Sequence, residues 1–177
     1  MVAAGAALAD EVGLGNLTMG LLAGRLGVRT PSLYKHVAGQ EDLSRRIAAL
    51  ALDEVADAVG RAVQGYAGRD ALAAATRAFR AFVVAHPGRY AATIGVEPSG
   101  PDDPLAVASE KLLHAFMAAL RGYEIEAADV NHALRMLRSL CHGFATLEAA
   151  NAFQWSVDID ESFEWLIAFT DRGLRAL

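Results

Sequence analysis

Polar side chains with little bulk lie close together between residues 32 and 36 of this 177-residue chain. Ser32, Tyr34, Lys35 and His36 bring hydroxyl, ammonium and imidazole groups, while Leu33 and Val37 are left to anchor the segment inward. Groups of these kinds contact DNA phosphates and the edges of bases. The segment therefore indicates nucleic-acid contact, provided that the chain holds it as an exposed helix.

Two short helices with clear start and stop signals would position these side chains. Thr18 can cap a first helix whose apolar residues follow the i, i+3, i+4, i+7 spacing, and Gly27 ends it. Thr30 can cap a second helix with Pro31 at its first position, where the missing N–H costs nothing. Helices joined by so short a turn must cross steeply. This is helix-turn-helix geometry, in which the second helix can enter a DNA major groove.

The stretch GLGNLTMGLLAGRLGVRTPSLYKHVAGQEDL resembles the N-terminal DNA-binding domain of the TetR family of one-component transcriptional regulators. The similarity covers roughly residues 2–46 and fixes many positions at defined spacing. It implies an all-α fold with an N-terminal three-helix helix-turn-helix domain, followed by a helical-bundle domain for ligand binding and dimerisation. The implied domains are 1–46, which includes the start of a linking fourth helix, and 47–177.

The resemblance also implies roles for individual residues. Tyr34 and Lys35 would hold phosphates, while Arg29, Thr30 and Ser32 would lie nearest the base edges. The full set of expected DNA-binding residues is Thr18, Arg29, Thr30, Pro31, Ser32, Tyr34, Lys35, His36 and Gln40.

Two positions depart from the family pattern. Gly20 stands where many relatives have a basic residue, and Gln40 stands where a phosphate-binding lysine is usual. The family often carries a basic arm before the first helix, and its absence here removes phosphate contacts or means that the numbered chain lacks its native start. An alternative is thus a small-molecule or protein-binding bundle whose DNA domain has decayed.

Weaker motifs extend the resemblance into the second half of the chain. HPGRY at 86–90, HGF at 142–144 and DESF at 160–163 are similar to an actinobacterial-type subgroup of TetR C-terminal domains. The family binds a small-molecule effector in this half. A pocket needs apolar walls with a few polar groups, although such residues are first of all core. The expected ligand-binding residues are Phe79, Phe82, Tyr90, His114, Met117, Met136 and His142.

The family also dimerises through its last two long helices, which pack against their mates as a four-helix bundle. Gly143 and Gly173 each stand inside a helical pattern, where glycine costs about 1 kcal/mol relative to alanine. Close approach of two helices at a dimer seam would offset that cost. The expected interface residues are Gly143, Leu147, Phe163, Leu166 and Gly173.

A metal-binding bundle is the alternative from another class of function. A di-iron site needs carboxylate-x-x-His pairs from two helices together with further inward carboxylates. Asp129 and His132 supply one such pair, and Glu110 is four residues from His114. No second set exists. We therefore expect no catalytic residues, no metal and no cofactor, with a helical metal-binding protein or enzyme using bundle His and acidic residues kept as the alternative.

Composition agrees with a helical protein that has a real core. The hydrophobic fraction is 54%, dominated by alanine and leucine, and alternating β-branched runs are rare. No apolar run is long enough to span a bilayer and no leader is evident, so we expect a cytoplasmic protein. The single cysteine, Cys141, excludes an internal disulfide and fits a reducing compartment. A small buried side chain is expected there, because His142 beside it points in another direction.

The net charge of −5 is divided unevenly. Residues 1–46 hold five basic and four acidic residues, and the remainder holds eleven basic and seventeen acidic ones. Phosphate attraction should be modest and helped by helix N-termini and backbone amides.

Periodicity and breakers predict nine helices. Their expected ranges are about 3–12, 18–26, 31–37, 41–63, 70–85, 88–94, 105–120, 126–152 and 158–174. Asp158 and Glu161 have capping-box spacing at the start of the last helix.

Overall fold

The computed structural model describes residues 1–177 and consists of nine α-helices and one 3₁₀ turn, without β-strands. The all-α prediction is confirmed. In chain order the elements are α1 (Val2–Val12), the 3₁₀ turn (Leu14–Asn16), α2 (Met19–Leu26), α3 (Thr30–Leu33), α4 (Gln40–Ala62), α5 (Gly68–Ala85), α6 (Pro87–Ala91), α7 (Pro104–Ala119), α8 (Val130–Ala149) and α9 (Ile159–Arg175).

Capping side chains set the start of two helices as the sequence predicts. The Thr18 hydroxyl accepts a hydrogen bond from the Leu21 N–H at the start of α2. The Asp158 carboxylate accepts one from the Glu161 N–H at the start of α9. Both side chains satisfy a backbone donor that the first turn of a helix leaves without a partner.

The third helix is shorter than predicted, and its expected cap is wrong. Arg29, not Thr30, occupies the N-cap position, in extended conformation, and no side chain caps the helix. Pro31 is accommodated because the first turn does not need its N–H. Tyr34 ends the helix with a ψ of −8°, and the chain continues as a turn in which the His36 N–H donates to the Leu33 carbonyl.

The eighth helix is also shorter at both ends than the predicted 126–152. Residues 126–129 form a turn closed by a hydrogen bond from the Asp129 N–H to the Glu126 carbonyl. At the other end Asn151 adopts a φ of +52°, and the Ala152 N–H returns to the Leu147 carbonyl. Asparagine tolerates this left-handed conformation, so it stops the helix as glycine commonly does.

The helices form two compact units. The first unit comprises Met1–Glu54 and His86–Lys111, and the second comprises Val55–Ala85 and Leu112–Leu177. Helices α4 and α7 each contribute to both units. None of the helices is long and apolar enough to cross a membrane. The functional division at residue 46 stays a prediction.

Helices α1 and α6 make a backbone-to-backbone contact in the first unit. A methyl group added at Gly88 would overlap the Ala9 carbonyl and lie 2.6 Å from the backbone nitrogen of Asp10. The Asp10 carboxylate accepts hydrogen bonds from the backbone N–H and the Nε of Arg89, each at 2.8 Å. Arg89 also bonds Glu54 of α4 at 2.7 Å. Ion pairing therefore joins α1, α4 and α6.

The second unit is built on the packing of α5 against α8 and α9. Phe79 and Phe163 are fully buried there, and Phe144 packs against the Phe163 ring at 4.9 Å between centroids. Arg80 on α5 binds Glu148 of α8 through two hydrogen bonds of 2.6 Å and Asp160 of α9 at 2.7 Å. Its guanidinium lies 4.8 Å from the centre of the Phe163 ring. This cation fixes the first turn of α9 to the two other helices.

Candidate DNA-binding surface

Backbone hydrogen bonds define the turn between α2 and α3. Gly27 ends α2 with a φ of 66°, a left-handed conformation that glycine adopts without a steric penalty. The Val28 N–H donates to the Ala23 carbonyl at 3.0 Å. The chain therefore leaves the axis of α2 at Gly27, where the sequence predicts the helix to end.

Buried aliphatic side chains determine which side of the turn-and-helix segment faces outward. Leu33 and Val37 are buried, as predicted, together with Leu22 of α2. Between the first two, the Tyr34 side chain is 55% exposed, and Lys35 is exposed beside it. The segment thus presents polar groups to the outside on an apolar base.

The structure brings most of the predicted DNA-binding residues to this exposed segment. Thr18 lies at the start of α2 and Thr30 is half-buried. Gln40 begins α4, and its side-chain amide donates to the Leu17 carbonyl at 2.9 Å. This hydrogen bond ties the start of α4 to the residues just before α2. Every predicted residue except Thr30 is exposed, and the exposed members within the segment are Arg29, Pro31, Ser32, Tyr34, Lys35 and His36.

Ion pairs occupy three of the five basic side chains in residues 1–46. Arg25 pairs with Glu11 and lowers the pKa of that carboxyl, since the guanidinium bonds its charged form. Arg46 pairs with Asp42 at 3.0 Å and lowers the pKa of that carboxyl in the same way. Arg45 pairs with Asp103.

Arg29 and Lys35 are the two basic side chains of this range that have no ion-pair partner in the chain. The net charge of +1 in residues 1–46 does not show which basic side chains are paired and which are not. Glu11 is 14 residues from Arg25, and Asp103 is 58 residues from Arg45. Only the i, i+4 spacing of Asp42 and Arg46 could have been read as a pair.

The predicted ligand-binding residues are divided between the two units, with Tyr90 in the first and the other six in the second. Phe79 and Phe82 are buried in the second unit, and the Phe79 ring packs against Phe116 at 5.6 Å. Tyr90 is buried in the first unit. His142 is half-buried, and burial and Arg138 lower the pKa of its imidazole. The remaining members, His114, Met117 and Met136, are exposed.

A surface groove of about 270 Å³ lies on the second unit, where Arg77, Arg80 and Val84 of α5 face Glu148 of α8. It contains none of the predicted ligand-binding residues. Burial raises the pKa of the Cys141 thiol to about 12, which fits the small buried side chain expected there. No three His, Cys, Asp or Glu side chains converge in the structure as a metal ion would require.

The expected dimer-interface residues differ in exposure. Phe163 is completely buried within its own chain between the aromatic ring of Phe144 and the Arg80 guanidinium, so it has no surface to offer a partner. Leu147 is 48% exposed, and Leu166 is half-buried.

Exposed aromatic residues lie beside the remaining members of that set. Trp165 and Phe169 are 64% and 54% exposed, and their rings stack with centroids 5.4 Å apart. A Cβ added at Gly143 or Gly173 would meet nothing within 4 Å. The i, i+4 spacing of the two aromatic residues was visible in the sequence, but burial alone distinguishes them from the core position Phe163.

Comparison with known proteins gives consistent matches. The family model described as Tetracyclin repressor-like, C-terminal domain, matches residues 72–170. The HTH-type transcriptional regulator Rv0681 of Mycobacterium tuberculosis is 34% identical over 167 residues, covering 94% of this chain and 73% of its own length. The HTH-type transcriptional regulator YobS of Bacillus subtilis is 32% identical over 177 residues, covering 98% and 90%. The crystal structure of BioQ with its double-stranded DNA operator has a TM-score of 0.70 and 26% identity, covering 99% of this chain and 96% of that chain.

Proposed function

Because this chain belongs to the TetR family of helix-turn-helix transcriptional regulators, we propose that it is a ligand-responsive repressor that binds a palindromic operator as a homodimer in the cytoplasm. The similar protein BioQ was solved with its DNA operator, which supports operator binding for this chain. We assign it no catalytic activity. The actinobacterial-type subgroup stays a prediction.

The observation that carries the proposal is the exposed segment Arg29–His36 on its buried base. Arg29 and Lys35 are free to bind phosphates, while Ser32 and Tyr34 offer hydroxyl groups next to them. The paired arginines, by contrast, contribute little attraction. If both free cations bind phosphates in both subunits, the logarithm of the affinity should fall with the logarithm of salt concentration with a slope of about −4 at most.

Dimerisation is supported by an apolar surface on α8 and α9. Met136, Gly143 and Leu147 follow one another along the exposed side of α8. Trp165, Phe169 and Gly173 are spaced i, i+4, i+8 along α9, and the two aromatic side chains are more than half exposed. Contiguous apolar surface of this kind usually marks an interface. A dimer interface here would set the separation between the Arg29–His36 segments of the two subunits.

Selection of genomic fragments by the purified protein tests DNA binding. We expect a few pseudo-palindromic sites whose half-sites lie a whole number of helical turns apart, bound with the salt dependence given above. Equal and weak binding to all fragments would overturn the proposal and favour a decayed DNA domain.

Sedimentation analysis tests the dimer. The double variant Trp165→Ser, Phe169→Ser should sediment as a monomer and lose operator affinity. Trp155→Ser is the matched control, because Trp155 is 84% exposed but lies in the connection between α8 and α9. A double variant that stays dimeric would contradict the proposed seam.

A further inference from the structure

A groove of about 490 Å³ lies on the first unit. None of its lining residues belongs to α2 or α3. One side is formed by the first turns of α4, with Glu41 and Arg45, and by Leu14 of the 3₁₀ turn. The other side is the end of α6 and the residues that follow it, including Ile94, Val96 and Glu97. We call this the α4–α6 groove. Its volume is in the range of small-molecule sites.

Arg45 fixes the shape of the α4–α6 groove. Its guanidinium donates to the Glu97 carbonyl at 2.6 Å and to the Ser99 hydroxyl at 2.7 Å, and it pairs with Asp103. The Asp103 carboxylate also accepts hydrogen bonds from the backbone N–H groups of Ser99 and Leu105 at 2.8 and 2.9 Å. The wall after α6 is therefore held in place before any ligand binds.

The charge of the groove is negative once these bonds are counted. Asp103 neutralises the charge of Arg45. The guanidinium N–H groups of Arg45 bond the chain after α6 and not the open groove. Glu41 and Glu97 are both exposed, and neither carboxylate has a hydrogen-bond or ion-pair partner in the chain. Two carboxylates without a side-chain partner thus border the groove.

Aliphatic side chains line the same groove as the two carboxylates. Ile94 is 50% exposed, and Leu14 and Val96 are half-buried. A ligand with a positive charge and an aliphatic body would pair with the carboxylates and cover this apolar surface. An anion would be repelled, and a neutral alkane would leave the carboxylates unused.

We propose that the α4–α6 groove binds a small organic cation with an aliphatic body, an alkylammonium compound in chemical class. The site does not depend on DNA binding, and none of the predicted ligand-binding residues lines it. A ligand here would contact α4 at its first turns, directly after the Arg29–His36 segment.

Calorimetric titration of the full chain with hexyl- and octyltrimethylammonium at low salt tests the proposal, with 1-octanol as the uncharged probe. We expect one-to-one binding, about fourfold tighter for the octyl compound, since two more CH₂ groups are partly covered. The double variant Glu41→Gln, Glu97→Gln should bind about tenfold more weakly. Ile94→Ala should weaken binding about threefold while both carboxylates remain.

The matched control is Glu124→Gln, Glu126→Gln, which makes the same change in net charge at exposed acids outside the groove. It should bind like the unsubstituted chain. Methyl NMR signals of Leu14, Ile94 and Val96 should shift on titration. Equal affinity of the two double variants, equal binding of octanol, or methyl shifts confined to the second unit would each overturn the proposal.

Discussion

The exposed segment Arg29–His36 and the packed helices α5, α8 and α9 use their cations in opposite ways. Arg29 and Lys35 in the first region have no partner within the chain. Arg77 and Arg80 on α5 are each bound to carboxylates of α8 or α9, which lie 68 to 87 residues away in sequence. Cations of the first kind are available to a ligand, whereas those of the second kind hold helices together. Residue type and net charge alone do not separate the two uses.

The largest expected effect concerns the backbone contact between α1 and α6 in the first unit. Gly88→Ala should lower the free energy of unfolding by about 3 kcal/mol, because its Cβ would overlap the backbone of α1. Urea denaturation measures the change. Gly60→Ala on α4 is the control, because a Cβ there meets nothing, and it should stabilise by about 0.5 kcal/mol. Equal stability of the two variants would contradict the close approach of α1 and α6.

The next effect tests whether Arg77 and Arg80 hold α5 to α8 and α9. Arg80→Leu should cost about 2 kcal/mol, since Arg80 and Glu148 are both less than one-fifth exposed and Glu148 would lose its partner. Arg77→Leu should cost less than about 1 kcal/mol, since both members of its pair with Glu164 are about half exposed. Urea denaturation of both variants gives the comparison. A larger loss for Arg77→Leu would reverse this ranking.

A smaller effect tests the availability of the free cations. Lys35→Ala should lower operator affinity for all sequences and reduce the salt slope by about one per subunit. The double variant Glu11→Gln, Arg25→Gln removes an ion pair without changing net charge, and its slope should stay the same. Mobility shifts over a salt series measure both. An unchanged slope for Lys35→Ala would show that this side chain does not contact phosphate.

The smallest effect is a pH dependence in the wall of the α4–α6 groove. Hydrogen bonds from Ser99 and Leu105, and then the charge of Arg45, lower the pKa of Asp103 to about 2. Because this value lies below the unfolded value of about 4, its contribution is complete above pH 4 and is lost as the pH falls towards 2. Asp103→Asn should remove this part of the pH dependence of unfolding, whereas Asp102→Asn, at an exposed neighbour, should retain it.

The features that were predictable from sequence depend on short stretches of chain. Thr18, Gly27 and Asp158 act within one helical turn, so their hydrogen bonds follow from local sequence. The start of α3 was misplaced by one residue, because both Arg29 and Thr30 could hold an N-cap conformation before Pro31.

Features that depend on distant residues were not predictable. The pairing of Arg45 with Asp103 requires the fold, and so does the difference in burial between Phe163 and Trp165 two residues later. Both aromatic residues fit an amphipathic helix equally well. The end of α8 at Asn151 was only partly predictable from sequence, since asparagine permits a left-handed turn without requiring one.

The positions of the two tryptophans have a spectroscopic consequence. Trp155 and Trp165 are the only indoles in the chain, both belong to the second unit, and both are largely in contact with water. Intrinsic fluorescence of the free chain should therefore show the red-shifted emission of hydrated indole. A subunit that covers Trp165 would move this emission to shorter wavelength and shield it from an aqueous quencher. Trp155→Phe would then give a protein whose emission reports subunit association through a single residue.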